Sequence, residues 1–172
     1  MANIDVTAFN KASAGVNNEL GRGCTHVATV KYTDFVANPS AADGDTLTFA
    51  LASIPQYSIV ESVGFRLITP FNDPASVGGT GLTIQLGDED DADGFVTATE
   101  LHLDNTEVFI AANNGAYFTV GGDAGTAKGK TYTAAKTLEA LFTPTGCKLD
   151  EETEGEVRIF ARIVDTSILA NL

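Results

Sequence analysis

The sequence predicts an antiparallel all-β domain folded as a two-sheet sandwich, and three observations carry that expectation. Short stretches of alternating apolar and polar residues recur from Thr25 to Asp165, as expected where successive side chains point to opposite faces of a half-buried sheet. Gly, Asn, Asp and Pro punctuate these stretches at near-regular intervals, as turns between strands require. No long stretch carries the 3.6-residue periodicity of an amphipathic helix.

Taken in order, Thr25 to Phe35 is expected as the first strand. A turn region around Asn38-Pro39-Ser40 and Asp43-Gly44 leads to Thr46 to Ala52, where Leu47, Phe49 and Leu51 share a face. Ile54-Pro55 ends that strand. Ser58 to Thr69, Gly81 to Leu86, Phe95 to Leu103, Glu107 to Ala111, Ala116 to Val120, Tyr132 to Thr143 and Glu156 to Asp165 follow. Eight or nine strands at this spacing point to a jelly roll as the topology. A barrel or an immunoglobulin-like sandwich stays open, without the Cys and Trp signature of the latter. The domain is expected over residues 24–172, preceded by an extended N-terminal arm over 1–23. That arm is rich in Asn, Ala and Gly and nearly neutral, Asp5 and Glu19 balancing Lys11 and Arg22. Val6 and Phe9 are its candidate anchors for pockets on a partner subunit.

Composition narrows the partners. The 172 residues carry a net charge of −13, which repels phosphate backbones and anionic bilayers, so neither nucleic acid nor membrane is expected as a partner. The first residues lack the basic and apolar regions of a signal peptide, and no apolar run is long enough to span a bilayer. Cys24 and Cys147 lack C-x-x-C spacing and read as thiols of a reducing compartment.

Ten of the 23 carboxylates fall in two clusters. In the first, Asp88 to Phe95, carboxylates on alternate positions of a turn could offer oxygen ligands to a hard cation. Glu89, Asp91, Asp93 and Glu100 are the candidate ligands, and calcium is the one ion considered. They fall, with Gly94 and Val96, at EF-hand loop spacings, but the flanks read as strands and an EF-hand is rejected. The competing reading is a solvated acidic turn. The second cluster, Asp150 to Glu156, reads as a charged loop before the last strand.

Ala124 to Thr131 satisfies a relaxed phosphate-binding pattern in which Lys130 would reach phosphates and Thr131 a magnesium ion. The strand-rich context, without the helices a parallel sheet needs, favours a Gly/Lys loop between strands. His26 and His102 are the two histidines. There is no nucleophile elbow, no H-E-x-x-H and no cysteine cluster, so no catalytic residue and no organic cofactor is expected.

The run Ile68-Thr69-Pro70-Phe71, then Gly81-Leu82-Thr83-Ile84-Gln85-Leu86-Gly87-Asp88 with Asp91-Ala92-Asp93-Gly94-Phe95, then Gly129 to Ala135 and Gly155 to Ala161, resembles small virion structural proteins of tailed bacteriophages. These are jelly rolls of the capsid decoration (cement) or head-fibre kind. The resemblance covers roughly Thr46 to Asp165. It implies a non-enzymatic protein made in the host cytoplasm, placed on the outer capsid surface of the virion as a dimer or trimer, and braced against the major capsid protein. A tail-fibre or receptor-binding module, and a ligand-binding or enzymatic sandwich, are the alternatives.

Overall fold

Two sheets face each other across one hydrophobic core, as the alternation requires. The computed structural model describes residues 2–5, 10–11, 24–39, 42–72, 81–102, 110–118 and 129–167. Within them lie strands β1 (Ala2–Asp5), β2 (Asn10–Lys11), β3 (His26–Lys31), β4 (Leu47–Ile54), β5 (Ser58–Asn72), β6 (Gly81–Asp88), β7 (Val96–Glu100), β8 (Ile110–Ala112), β9 (Lys130–Thr131), β10 (Lys136–Thr145) and β11 (Glu154–Asp165), with a short helix α1 (Tyr32–Val36) and a 3₁₀ turn at Leu149–Glu151.

One sheet has the order β1-β4-β10-β6-β7 and the other β2-β3-β11-β5-β8, with β9 pairing β5. The chain changes sheet between β3 and β4, again to β5 and again to β6, and it returns through β10 in one sheet and β11 in the other. The late strands therefore slot between early ones. β10 lies between β4 and β6, and β11 lies between β3 and β5. All these pairs are antiparallel.

The inward faces are the apolar positions of each alternation. Leu82, Ile84 and Leu86 on β6, Leu138, Ala140 and Phe142 on β10, and Val157, Ile159 and Ala161 on β11 are fully buried. A cluster of rings closes one part of the core. Phe35 sits 6.0 Å from Phe49, 5.4 Å from Phe71 and 5.0 Å from Phe142, centroid to centroid, the last edge-on.

Phe35 arrives there through a departure from the expected first strand. β3 ends at Lys31 and the chain turns into α1. Asp34 makes the turn: its Oδ2 accepts the Lys31 N–H at 2.8 Å, and its carbonyl accepts the Asn38 side-chain amide at 2.9 Å. The local hydrogen bonds of Asp and Asn win over strand continuation. Ala116 to Phe118 also forms a turn instead of a strand, with the Phe118 N–H on the Gly115 carbonyl; residues 119 and 120 lie outside the described residues. β10 begins at Lys136, because Tyr132 is bonded to the other sheet through the Ser58 carbonyl and the Tyr57 N–H.

Among the described residues, β1 of the N-terminal arm makes the parallel pairing. β1 lies along β4 in the register Ala2↔Leu47 to Asp5↔Ala50, and β2 pairs antiparallel with β3 at Asn10↔Val27 and Lys11↔His26. The arm thus adds a strand to each sheet at the same flank. Val6 and Phe9 lie outside the described residues.

Because Phe35 is fully buried among three other rings, Phe35→Ala should cost about 3–5 kcal/mol of stability. Urea denaturation of the two proteins would measure this, and a loss below about 1 kcal/mol would contradict the packing described.

Candidate functional site

The most concentrated polar chemistry lies where β6 ends. Strand alternation carries Leu82, Ile84 and Leu86 inward and then does the same to Asp88, whose side chain is fully buried. Five donors converge on that carboxylate. Oδ1 accepts the Tyr117 hydroxyl at 2.9 Å and the backbone N–H groups of Asp90 and Asp91 at 3.0 and 3.1 Å. Oδ2 accepts the Lys130 ammonium at 3.0 Å and the Tyr132 hydroxyl at 2.5 Å. The Lys130 Nζ also lies 3.4 Å from the centre of the Tyr117 ring, a cation–π contact in partly desolvated surroundings.

Two glycines permit this geometry. A Cβ on Gly94 would fall 2.2 Å from the Tyr117 ring, so a side chain there would displace the tyrosine from Asp88. Gly129 has φ +113° and would carry a Cβ 2.2 Å from the Val60 carbonyl; it lets β9 lie against β5 and aims Lys130 at the carboxylate.

Burial alone would raise the Asp88 pKa, but the bonds from Tyr132, Lys130, Tyr117 and the Asp90 amide outweigh it and hold the group below the usual carboxylate range. Burial and the same carboxylate push both tyrosine hydroxyls well above their ordinary values. The carboxylate's lone pairs are committed to these donors, leaving it no part as a base or nucleophile. The cluster fastens β6, β9 and the turn carrying Tyr117 to one another.

Beside it, an open groove of about 450 Å³ is lined by Thr46, Thr48, Asp88, Glu89, Asp90, Ala92, Glu139 and Leu141. Burial, followed by the neighbouring Glu89 and Asp88 charges, raises the Glu139 pKa. Two of the lining carboxylates are paired with Lys136, Asp90 at 2.8 Å and Glu89 at 3.6 Å.

Of the four carboxylates considered for calcium, Asp91 and Asp93 lie side by side, and burial followed by the Asp93 side chain raises the Asp91 pKa. Glu89 pairs with Lys136, and Asp91 Oδ1 accepts the Asp93 N–H at 3.4 Å. Glu100 stands at the far end of β7, where one oxygen accepts the N–H groups of Leu82, Leu101 and His102. Among the described residues, no group of three His, Cys, Asp or Glu side chains is placed to hold a metal ion. Lys130, the lysine of the phosphate-binding pattern, is engaged by Asp88; residues 124 to 128 of that pattern lie outside the described residues.

Glu152 departs from the expected solvated acidic loop. It is 2% exposed, and its Oε1 lies 2.6 Å from His102 Nε2, joining the segment after β7 to the segment before β11. Cys24 and Cys147 are not bridged by a disulfide.

No known protein family matches the sequence, and no curated protein matches it. Among solved structures, the chain is similar to one in the acidic stable capsid structure of Helicobacter pylori bacteriophage KHP30, with 13% identity and a TM-score of 0.40 over 80% of this chain and 89% of that one. It is also similar to one in the capsid of Ralstonia phage GP4, with 9% identity and a TM-score of 0.38 over 85% and 88% of the two chains.

The pKa directions fix opposite pH effects. Asp88 has a depressed folded-state pKa, so its contribution to stability is complete above the ordinary carboxylate range and is lost as the pH falls through the folded value. Glu139 has a raised one, so its contribution is present below its ordinary value of 4.5 and is lost as the pH rises through the folded value. Asp88→Asn should therefore destabilise the protein by about 3 kcal/mol at neutral pH, leaving Lys130 without its counter-charge, and should flatten the acid limb of the stability curve. Glu139→Gln should raise the melting temperature at neutral pH and leave it unchanged in acid. Denaturation of both variants across a pH series tests the assignments; an unaltered acid limb in Asp88→Asn would refute the first.

Proposed function

We propose that this chain is a structural protein of a tailed-bacteriophage virion, a jelly roll that decorates the outer face of the shell, stabilises it against the major capsid protein and acts without catalysis. The observation that carries this reading is the arm. β1 and β2 extend the two sheets at one flank through backbone hydrogen bonds, with a short pairing on each. Strand addition of this kind works equally well between chains, since main-chain bonds supply the affinity and alternate side chains the specificity.

Twelve residues, three of them glycine, separate Lys11 from Cys24. At about 3.4 Å per residue this stretch can reach roughly 40 Å, enough for residues 1–23 to clasp a neighbouring subunit, with Val6 and Phe9 as anchors. The strand order supports the jelly-roll reading, because the sheets β4-β10-β6-β7 and β3-β11-β5-β8 are what two interleaved Greek keys produce. The motif resemblance between Thr46 and Asp165 supports the virion assignment. The commitment of Asp88 and Lys130 to each other removes the best-placed acid and the best-placed cation from catalysis.

Removal of residues 2–22 should abolish binding to purified shells while leaving the β-sheet circular dichroism unchanged; retained binding would refute the role of the arm. Quantitative mass spectrometry of particles from the source should find this chain in numbers comparable to the major shell protein. A handful of copies would favour a tail fibre or receptor-binding module, and absence would overturn the virion reading.

A further inference from the structure

One end of the sandwich carries a tyrosine in a conformation that tyrosine disfavours. β4 passes into β5 through Pro55, Gln56 and Tyr57, a turn closed by the Ser58 N–H on the Pro55 carbonyl at 3.2 Å. Tyr57 has φ +63°. That is the left-handed region which the third position of such a turn reserves for Gly or Asn, and a bulky residue there is strained. Asn113, the other described non-glycine residue with positive φ, is of a type that tolerates it, and its Oδ1 accepts the Val63 N–H at 2.9 Å. Tyr57 has no such fit, and it is 46% exposed.

Hydrogen bonds hold the strained residue in place. Its N–H donates to the Tyr132 carbonyl at 2.8 Å, and its carbonyl accepts the Thr166 N–H at 3.0 Å together with the Thr166 hydroxyl. Gln56 Nε2 donates to the Thr133 carbonyl at 2.8 Å, and Tyr132 is itself tied to Asp88 inside the sandwich. The turn and the β9–β10 connection are thus bonded into one tip. A tyrosine presented on an ordered support loses little conformational freedom on contact with a partner.

The tip is also uncharged, in a chain of net charge −13. Pro55, Gln56, Tyr57, Thr133, Ala134 and Ala135 are all exposed, and none carries a charge. The described charges at its margin are engaged, Lys136 by Asp90 and Glu89 and Asp165 by the Ser167 N–H at 2.8 Å. A charged partner surface would be desolvated against this tip without a counter-charge, which is costly. The surface that fits is an uncharged, apolar recess on a protein, of the kind that receives a central aromatic anchor. The acid-lined groove beside Asp88 is unsuited to that part, and the overall charge opposes a nucleic acid or an anionic bilayer.

We propose that Tyr57 is a contact residue for a shell subunit, its ring seated in an uncharged apolar recess, with Pro55 and Ala134 against the rim. The strain at the turn persists because Gly or Asn, which would relieve it, would also remove the anchor. The inference rests on the virion reading above and adds to it a surface of this chain and the kind of partner site that the surface fits.

Binding of the full chain to purified shells, measured beside its melting temperature, tests this. Tyr57→Gly should weaken binding by about thirtyfold or more, the loss of an interfacial hot spot, while its melting temperature stays unchanged or rises by about 2–4 °C as the strain is relieved. Tyr57→Asn should behave in the same way, and Ala134→Asp should weaken binding at an unchanged melting temperature. A photoreactive benzoylphenylalanine in place of Tyr57 should crosslink to the shell protein on irradiation. Full-strength binding by Tyr57→Gly, or a bound chain that gives no crosslink, would overturn the proposal. A lower melting temperature in both Tyr57 variants would overturn it too, by making the tyrosine a packing residue. Failure of the unaltered chain to bind shells at all would overturn the virion reading and this inference with it, an outcome distinct from binding that ignores Tyr57.

Discussion

The Asp88 carboxylate is the point on which one end of the sandwich depends. A buried charge costs several kcal/mol unless it is paired and fully hydrogen-bonded, and here the requirement is met by residues from three separate places in the chain. Tyr117 comes from the turn after β8, Lys130 from β9 and Tyr132 from the crossing into β10. None can move without leaving an unsatisfied donor or acceptor. Tyr117 and Tyr132 also belong to the hydrophobic core, Tyr117 edge-on to Phe95 at 5.1 Å, so the carboxylate adds directional bonds to segments that burial already holds. Gly94 and Gly129 are the steric conditions of this arrangement.

The opposite part of the molecule is held differently. Phe35, Phe49, Phe71 and Phe142 meet ring to ring, and the interaction there is burial with edge-on or tilted aromatic geometry. Between these regions, interleaving of β10 and β11 among earlier strands ties the two halves of the sequence together. Such non-local pairing is slow to form, and it leaves the flank strands β3 and β4 with edges that the arm covers through β2 and β1. Covering an edge protects against unwanted pairing.

The alternation made the sandwich legible, since burial on β4, β6, β10 and β11 follows the period of two in the sequence. Carried two residues past Leu86, the same period places Asp88 on the inward face, a signal that the density of acids around it obscured. Nothing in the sequence announced Glu152 as buried, because its pairing with His102 joins residues 50 apart. The turn at Asp34 was hidden by β-forming neighbours, Val30 and Tyr32, whose preference yields to tertiary context. Lys130 was conspicuous for its Gly/Lys surroundings, yet its partner is a carboxylate 42 residues upstream. Register, too, is a property of folding: Arg66 and Arg158 become neighbours only when β5 and β11 pair.

Charge is therefore partitioned by the fold and not by the sequence. The lysines Lys130 and Lys136 are consumed locally, by Asp88 and by Glu89 with Asp90, which tightens the β6–β7 turn without altering the acidic character of its surroundings. Among the described residues, Arg158 and Arg162 pair instead with Glu156 and Glu61 on the outer side of β11 and β5. Buried charge in this domain is thus spent on cohesion between segments that are distant in the sequence.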